Sequence, residues 1–194
     1  EEIYKKVKKL KPKVVYLQRS RGYSSRKALS PYDMKDIFEN IKKLSNDFFI
    51  VVDNCYGEFV DDIEPTDVGA DVIVGSLIKN PGGGLAPTGG YIVGSERAID
   101  RISSRYTNPS LKLEVGSFEM GYRLFYQGLF MAPHTVAQAL KGTALVGQIM
   151  EDKGYKVIPS NQEIPQDIVK SVVFNTADEL IKFVQTVQKV SPID

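Results

Sequence analysis

Two stretches decide the fold: Phe48-Phe49-Ile50-Val51-Val52-Asp53, and then Asp71-Val72-Ile73-Val74-Gly75-Ser76-Leu77-Ile78-Lys79-Asn80-Pro81-Gly82-Gly83-Gly84. The first is apolar without alternation, as in a strand covered on both faces of a parallel sheet, and it closes on an acid. The second is another short apolar run that passes through a serine and a lysine into three glycines. A loop and short turn through Glu64-Pro65-Thr66-Asp67 separate them. The pair predicts neighbouring strands with a carboxylate at one carboxyl end and an amine at the other.

Upstream, Val14-Val15-Tyr16-Leu17 reads as the first strand, followed by the polar, basic stretch Gln18-Arg19-Ser20-Arg21-Gly22-Tyr23-Ser24-Ser25-Arg26. Ser30-Pro31-Tyr32-Asp33 starts a helix, with serine at the N-cap, proline at the first helical position and an acid three residues after the cap. Met34, Ile37, Phe38, Ile41 and Leu44 give that helix one apolar stripe for a sheet. Downstream, Gly90-Tyr91-Ile92-Val93 reads as a strand, and Ser95 caps a helix carrying Ala98, Ile99 and Ile102.

From about residue 110 the character changes. Residues 117–131 read as one helix. Pro133 opens a second, apolar at Val136, Ala137, Leu140, Leu145, Ile149 and Met150 and ended by Gly154. Lys156-Val157-Ile158 and Ser171-Val172-Val173-Phe174 read as short strands. Thr176-Ala177-Asp178-Glu179 reads as a capping box before a helix with Leu180, Val184 and Val187 on one face. The predicted class is α/β, a mostly parallel sheet with flanking helices in residues 1–132. Residues 133–194 form a connecting helix and the start of a smaller α+β domain.

The composition, 42% hydrophobic and 25% charged, is that of a globular domain. With 25 Lys and Arg against 24 Asp and Glu the net charge is +1, and no global field favours nucleic acid or an anionic membrane. The lysines at 5, 6, 8, 9, 11 and 13 read as a solvated helix face and its exit turn. A single cysteine, Cys55, excludes an internal disulfide and fits a reducing, cytoplasmic compartment. There is neither a secretory leader pattern nor an apolar run of about 18 residues. The chain starts on Glu1 and nearly at once on a core strand, from which we expect part of a longer polypeptide.

In open α/β sheets ligands bind outside the carboxyl ends of the strands. Three such ends carry polar groups here: Gln18 and Arg19, Asp53, and Ser76 to Lys79. These charges either face a site or mark where the chain reaches water. Asp53 alone is a turn acid or a partner for a protonated ring nitrogen, and Lys79 alone is a surface lysine. Together they fit pyridoxal phosphate, whose aldehyde the amine holds and whose pyridine nitrogen the carboxylate keeps protonated, making the ring a better electron sink. Partial desolvation is expected to help Lys79 lose its proton and act as nucleophile and base.

Ser76, three residues before Lys79, can donate to the cofactor phosphate. Tyr56 either hydrogen-bonds the cofactor's phenolic oxygen or packs under its loop. Gly82, Gly83 and Gly84 lack the order of a P-loop and read as a tight turn passing close to the lysine. His134 has no second histidine with which to share a metal, so no metal site is expected. Cys55 reads as a small buried side chain. Tyr122, Phe125, Tyr126 and Phe130 read as core or interface.

The segments 51–59 and 76–91 resemble fold-type-I pyridoxal-phosphate enzymes. More narrowly they resemble the methionine gamma-lyase-like family, also described as cystathionine beta-lyase-like proteins linked to aluminium resistance. The stretches 18–23 and 121–134 are similar to that family as well. The resemblance implies a homodimeric or homotetrameric lyase that removes a sulfur-bearing group from a small amino-acid substrate. It also implies that Lys79 binds the cofactor aldehyde, that Asp53 binds the pyridine nitrogen, that Ser76 helps hold the phosphate, and that Gln18 and Tyr56 belong to the site. Such enzymes usually run to roughly twice this length. Their phosphate loop and ring-stacking aromatic should precede Val14, and their carboxylate-clamping arginine should come late, yet no arginine follows Arg123. We therefore expect the middle of a longer enzyme. An aminotransferase is the nearest rival, since it uses the same acid and lysine, and a catalytically silent scaffold or regulator is the rival of a different class.

Overall fold

The computed structural model describes residues 2–45, 47–114 and 118–192. Helix α1 (Glu2–Leu10) leads into strand β1 (Val14–Gln18), then α2 (Pro31–Lys42), β2 (Phe49–Asp53), β3 (Val72–Ser76), a 3-10 turn (Asn80–Gly82), β4 (Gly90–Gly94) and α3 (Glu96–Tyr106). Helix α4 (Arg123–Asp152), strands β5 (Lys156–Ile158) and β6 (Ser171–Val173), and α5 (Ala177–Val190) complete the order. The first four strands form one sheet in the order β1-β2-β3-β4. The first three run parallel, while β4 returns antiparallel to β3. β5 and β6 pair antiparallel in a separate two-stranded sheet.

The core lies between that sheet and α2. Val15, Leu17, Ile50, Val52 and Ile73 meet Met34, Phe38 and Ile41, and all are buried. The expected cap holds α2 in place: Ser30 Oγ accepts from the Asp33 N–H, and the Asp33 carboxylate accepts from the Ser30 N–H. Its partner face on β1 alternates, with Val15 and Leu17 buried and Val14, Tyr16 and Gln18 exposed.

β2 departs from the expected burial on both faces, since Phe49, Val51 and Asp53 are only half-buried. On that second face the Arg97 and Arg101 guanidinium groups of α3 lie 4.6 and 5.6 Å from the Phe49 ring centre. That cover lies at the amino end of the strand, away from Asp53.

Helix α4 corrects the sequence reading most. One 30-residue helix runs where two were expected, with Pro133 inside it, so residues 132 and 133 fall on the same element; Ser117 lies outside the described residues. A proline removes one hydrogen bond and crowds the preceding turn, which normally ends or kinks a helix. Here the same turn is pressed onto the glycine segment. A Cβ on Gly128 would stand 2.2 Å from Gly82 O, and one on Gly83 would stand 2.3 Å from Gly128 O. Thr135 Oγ1 adds a hydrogen bond of 3.3 Å to Gly83 O, and Ala132 is fully buried. The glycines form the tight turn expected after Lys79, and they also form the seat of a helix.

Other departures are smaller. Ser95 stands at the N-cap of α3, but its side chain makes no capping hydrogen bond. Thr176 caps α5 through the Glu179 N–H, whereas Glu179 reaches past it to the Asn175 N–H, so the box is not reciprocal. Tyr122, Tyr126 and Phe130 are exposed on α4 and are not core. No described helix is long and apolar enough to cross a membrane.

The two helical glycines of α4 separate contact from propensity. Gly128→Ala is expected to destabilise the chain by at least about 1–3 kcal/mol, because backbone must move to admit the methyl. Gly142, with open space around it, should tolerate alanine and gain up to about 1 kcal/mol. Thermal denaturation of the two variants would show opposite shifts of the midpoint.

Candidate functional site

The register of the sheet places the strand ends. Gln18 pairs with Asp53 and Asp53 with Val74, so these side chains share one face, and Ser76 lies two residues further along it. Past β2 the chain turns sharply. The Asn54 N–H donates to Val74 O, and the Cys55 N–H donates to Asp53 Oδ1 at 3.1 Å, an Asx turn. The second carboxylate oxygen, Oδ2, accepts from the Tyr16 hydroxyl, also at 3.1 Å.

Tyr56 follows with φ of 68°, in the left-handed region that a bulky side chain rarely adopts. This turn carries its ring beneath Lys79, whose Nζ stands 4.3 Å from the ring centre. The expected ease of deprotonation of Lys79 is corrected here. Partial burial does push its pKa down, but the Cys55 thiol and the Tyr56 phenol outweigh it, and the pKa lies above the ordinary lysine value. Lys79 is therefore an ammonium at neutral pH. Burial, and after it the Asp53 carboxylate, push the Cys55 thiol up, so Cys55 stays protonated beside it.

Ser76 is half-buried at the end of β3, where its carbonyl accepts from the Lys79 N–H at 3.3 Å. Gln18 is exposed and shares the face of Asp53, and its carbonyl accepts from Arg26 at 2.8 Å. Tyr56 also takes part through its backbone, its carbonyl accepting from the Ile168 N–H. His134 is exposed on α4.

Arg19 neither faces a site nor marks the water boundary, as its place after β1 had offered. It is fully buried. Its guanidinium donates to Asn54 Oδ1 at 2.9 Å, to Glu64 Oε2 at 3.2 Å and to Asp61 Oδ2 at 2.5 Å. Gly57 leaves room for it, since a Cβ there would stand 2.4 Å from the arginine side chain. Its neighbours Ser20 and Arg21 are buried too and tie this loop to the C-terminal unit. Ser20 Oγ donates to Asp167 Oδ2 at 2.7 Å, and Arg21 donates to Ile158 O and to Ser171 Oγ. Sequence signals for these roles were weak. For Tyr16, which the sequence reading did not single out, the period of two that puts it on one face with Gln18 is the signal that could have found it.

Glu58 sits below the loop, 4% exposed, over Gly75 of β3. Its Oε1 accepts from the Tyr91 hydroxyl at 2.7 Å, while Oε2 is buried without a partner among the described residues. Burial, only partly offset by Tyr91 and Arg19, raises its pKa from 4.5 to about 7. The same burial, with Glu58 beside it, pushes the Tyr91 phenol up.

Lys79, Asp53 and Ser76 supply an amine, a carboxylate and a hydroxyl at adjacent strand ends. Each Asp53 oxygen carries one internal donor and keeps acceptor capacity for another. This donor set fits pyridoxal phosphate.

The Glu58 shift has a defined consequence. The folded chain holds a proton on Glu58 up to about pH 7, whereas the unfolded chain releases it near 4.5, so stability falls as pH rises between those values. The loss is on the order of 3 kcal/mol. Glu58→Gln should flatten this slope and leave the variant more stable than the parent at pH 8, with little difference at pH 4.5; urea unfolding across that range measures it.

The family model described as methionine gamma-lyase matches residues 1–194. A protein of Lactobacillus delbrueckii subsp. bulgaricus, named for its position in the glnA 5' region, is 42% identical over 194 residues, covering 100% of this chain and 63% of its own length. The crystal structure of a carbon-sulfur lyase involved in aluminum resistance from Clostridium novyi NT superposes with a TM-score of 0.92 at 48% identity, over 100% of this chain and 46% of that one. Ureidoglycine-glyoxylate aminotransferase from Bacillus subtilis shares the fold at a TM-score of 0.67 and 16% identity, over 97% of this chain and 52% of that one. The chain thus spans less than two thirds of the length of these relatives. Matched over its whole length by the family model, and carrying the lysine and aspartate at the strand ends where a ligand meets such a sheet, the chain belongs to the methionine gamma-lyase family.

Proposed function

We propose that the chain forms part of a pyridoxal-phosphate-dependent carbon–sulfur lyase that acts on a sulfur-containing amino acid by beta- or gamma-elimination. The observation that carries the reading is the placement of Asp53 at the carboxyl end of β2 and of Lys79 three residues past the carboxyl end of the neighbouring β3, in a chain of this family. When bound, the cofactor supplies an electron sink for the carbanion formed at the substrate's α carbon.

The residues have distinct roles in this reading. Asp53 presents a carboxylate to the ring nitrogen with both oxygens already oriented. Lys79 would hold the aldehyde through Nζ once its ammonium had given up its proton, and as a free amine it would serve as the local base. Ser76 would donate to the phosphate from the end of β3, three residues before Lys79. Tyr56 lies against the Lys79 ammonium and limits where it can swing. Gln18 borders the site beside Asp53. The exposed Tyr122, Tyr126 and Phe130 of α4 support association of copies into a homodimer or homotetramer.

The full-length protein supplied with pyridoxal phosphate should turn yellow and release thiol and a 2-oxo acid from cystathionine, methionine or cysteine. Lys79→Ala should lose both the visible band and thiol release to background. Oxo acid formed only with an amino acceptor would favour an aminotransferase instead, and a parent protein that stays colourless with the cofactor would sink the reading.

A further inference from the structure

Asp53 is gripped from two sides, and only one of them is explained by its turn. The Cys55 N–H bond to Oδ1 belongs to the Asx turn that any aspartate at this bend can make. The Tyr16 hydroxyl on Oδ2 comes from another strand. In the parallel register Tyr16 pairs with Val51 and Gln18 with Asp53, so Tyr16 sits diagonally behind Asp53 on the same face, within reach of a long side chain. Its ring is 58% exposed, so the core gains little from it. A hydroxyl donated to a carboxylate orients it and withdraws charge from one oxygen. Burial and the nearby Asp53 charge push the Tyr16 phenol up, so it remains a donor over the working pH range.

We propose that Tyr16 is a positioning residue for Asp53: its hydroxyl fixes the carboxylate plane and takes up part of the charge on Oδ2, so that the proton shared with the cofactor's ring nitrogen stays on the nitrogen. The proposal rests on the reading of Asp53 as the ring-nitrogen partner. Loss of the hydroxyl leaves the charge on Oδ2 unshared and draws that proton toward the carboxylate. A more acidic phenol acts in the opposite sense. Neither change touches Lys79, so the hold on the aldehyde is unaltered.

The test uses the full-length protein loaded with pyridoxal phosphate labelled with nitrogen-15 in the ring, and reads the ring-nitrogen resonance. Tyr16→Phe should move that resonance toward the unprotonated pyridine position and leave the thermal midpoint of the cofactor-free protein unchanged. Site-specific replacement of Tyr16 by 3-fluorotyrosine should move the resonance the other way, and it decides the matter if Tyr16→Phe folds poorly. An identical resonance in the parent and both variants overturns the role of Tyr16 while leaving the Lys79 reading intact. A parent protein that takes up no cofactor overturns both.

Discussion

A guanidinium with no exposed surface lies directly after β1, and the geometry of the strand ends depends on it. Burying an unpaired charge is costly, so Arg19 persists only because Asp61, Glu64 and Asn54 surround it with acceptors. Those partners belong to the loop between β2 and β3, and the arginine therefore pins that loop under the carboxyl end of the sheet. Asn54 is held twice, by Arg19 and through its own amide by Glu64 at 2.8 Å. The next two residues, Cys55 and Tyr56, are the ones that surround Lys79. Glu58 is a third acid close to a single guanidinium. With the arginine already matched to two carboxylates, it offsets a charge on Glu58 only in part, and burial keeps the pKa raised.

The same loop is fastened from the far end of the chain. The Ile168 N–H donates to Tyr56 O, and Asp167 accepts from Ser20, so one short segment of the C-terminal unit grips both the left-handed residue and the loop after β1. A non-glycine residue at positive φ persists only when its surroundings over-determine it. Tyr56 meets that requirement through the Asn54 anchor before it and the Ile168 bond at its own carbonyl. The position of its ring under Lys79 is thus set by contacts more than 100 residues apart in sequence.

Elements specified locally were legible in the sequence. Ser30 to Asp33 gave the start of α2, the apolar stripe gave its buried face, and the strand runs around residues 14, 49 and 72 lay within a residue of their observed bounds. The places of the acid and the amine in the fold were legible for the same reason, since Asp53 ends β2 and Lys79 follows β3 by three residues. What depended on distant contacts was not. Pro133 is a strong local stop signal, yet α4 runs through it because the turn there is packed on Gly82 and Gly83. Arg19 carries the signature of a surface residue, and only the acids 42 and 45 positions later make its burial possible. Tyr16 looked like a strand residue among others, because its partner lies on the neighbouring strand.

A polarity gradient along one face of the sheet connects these observations to the chemistry. On the face opposite α2, β1 runs from Val14 through Tyr16 to Gln18, β2 from Phe49 through Val51 to Asp53, and β3 from Val72 through Val74 to Ser76. Each strand starts apolar and ends polar. At the amino end α3 brings its arginines over Phe49, whereas at the carboxyl end the described residues leave Tyr16 and Gln18 exposed. Parallel strands place all three polar ends on the same side, so one gradient repeated three times gathers a phenol, an amide, a carboxylate and a hydroxyl into one patch. Antiparallel strands would have scattered them to both ends. β4, the antiparallel member, instead sends glycine to that end: Gly90 pairs with Ser76, where a Cβ would stand 3.0 Å from Gly75 O.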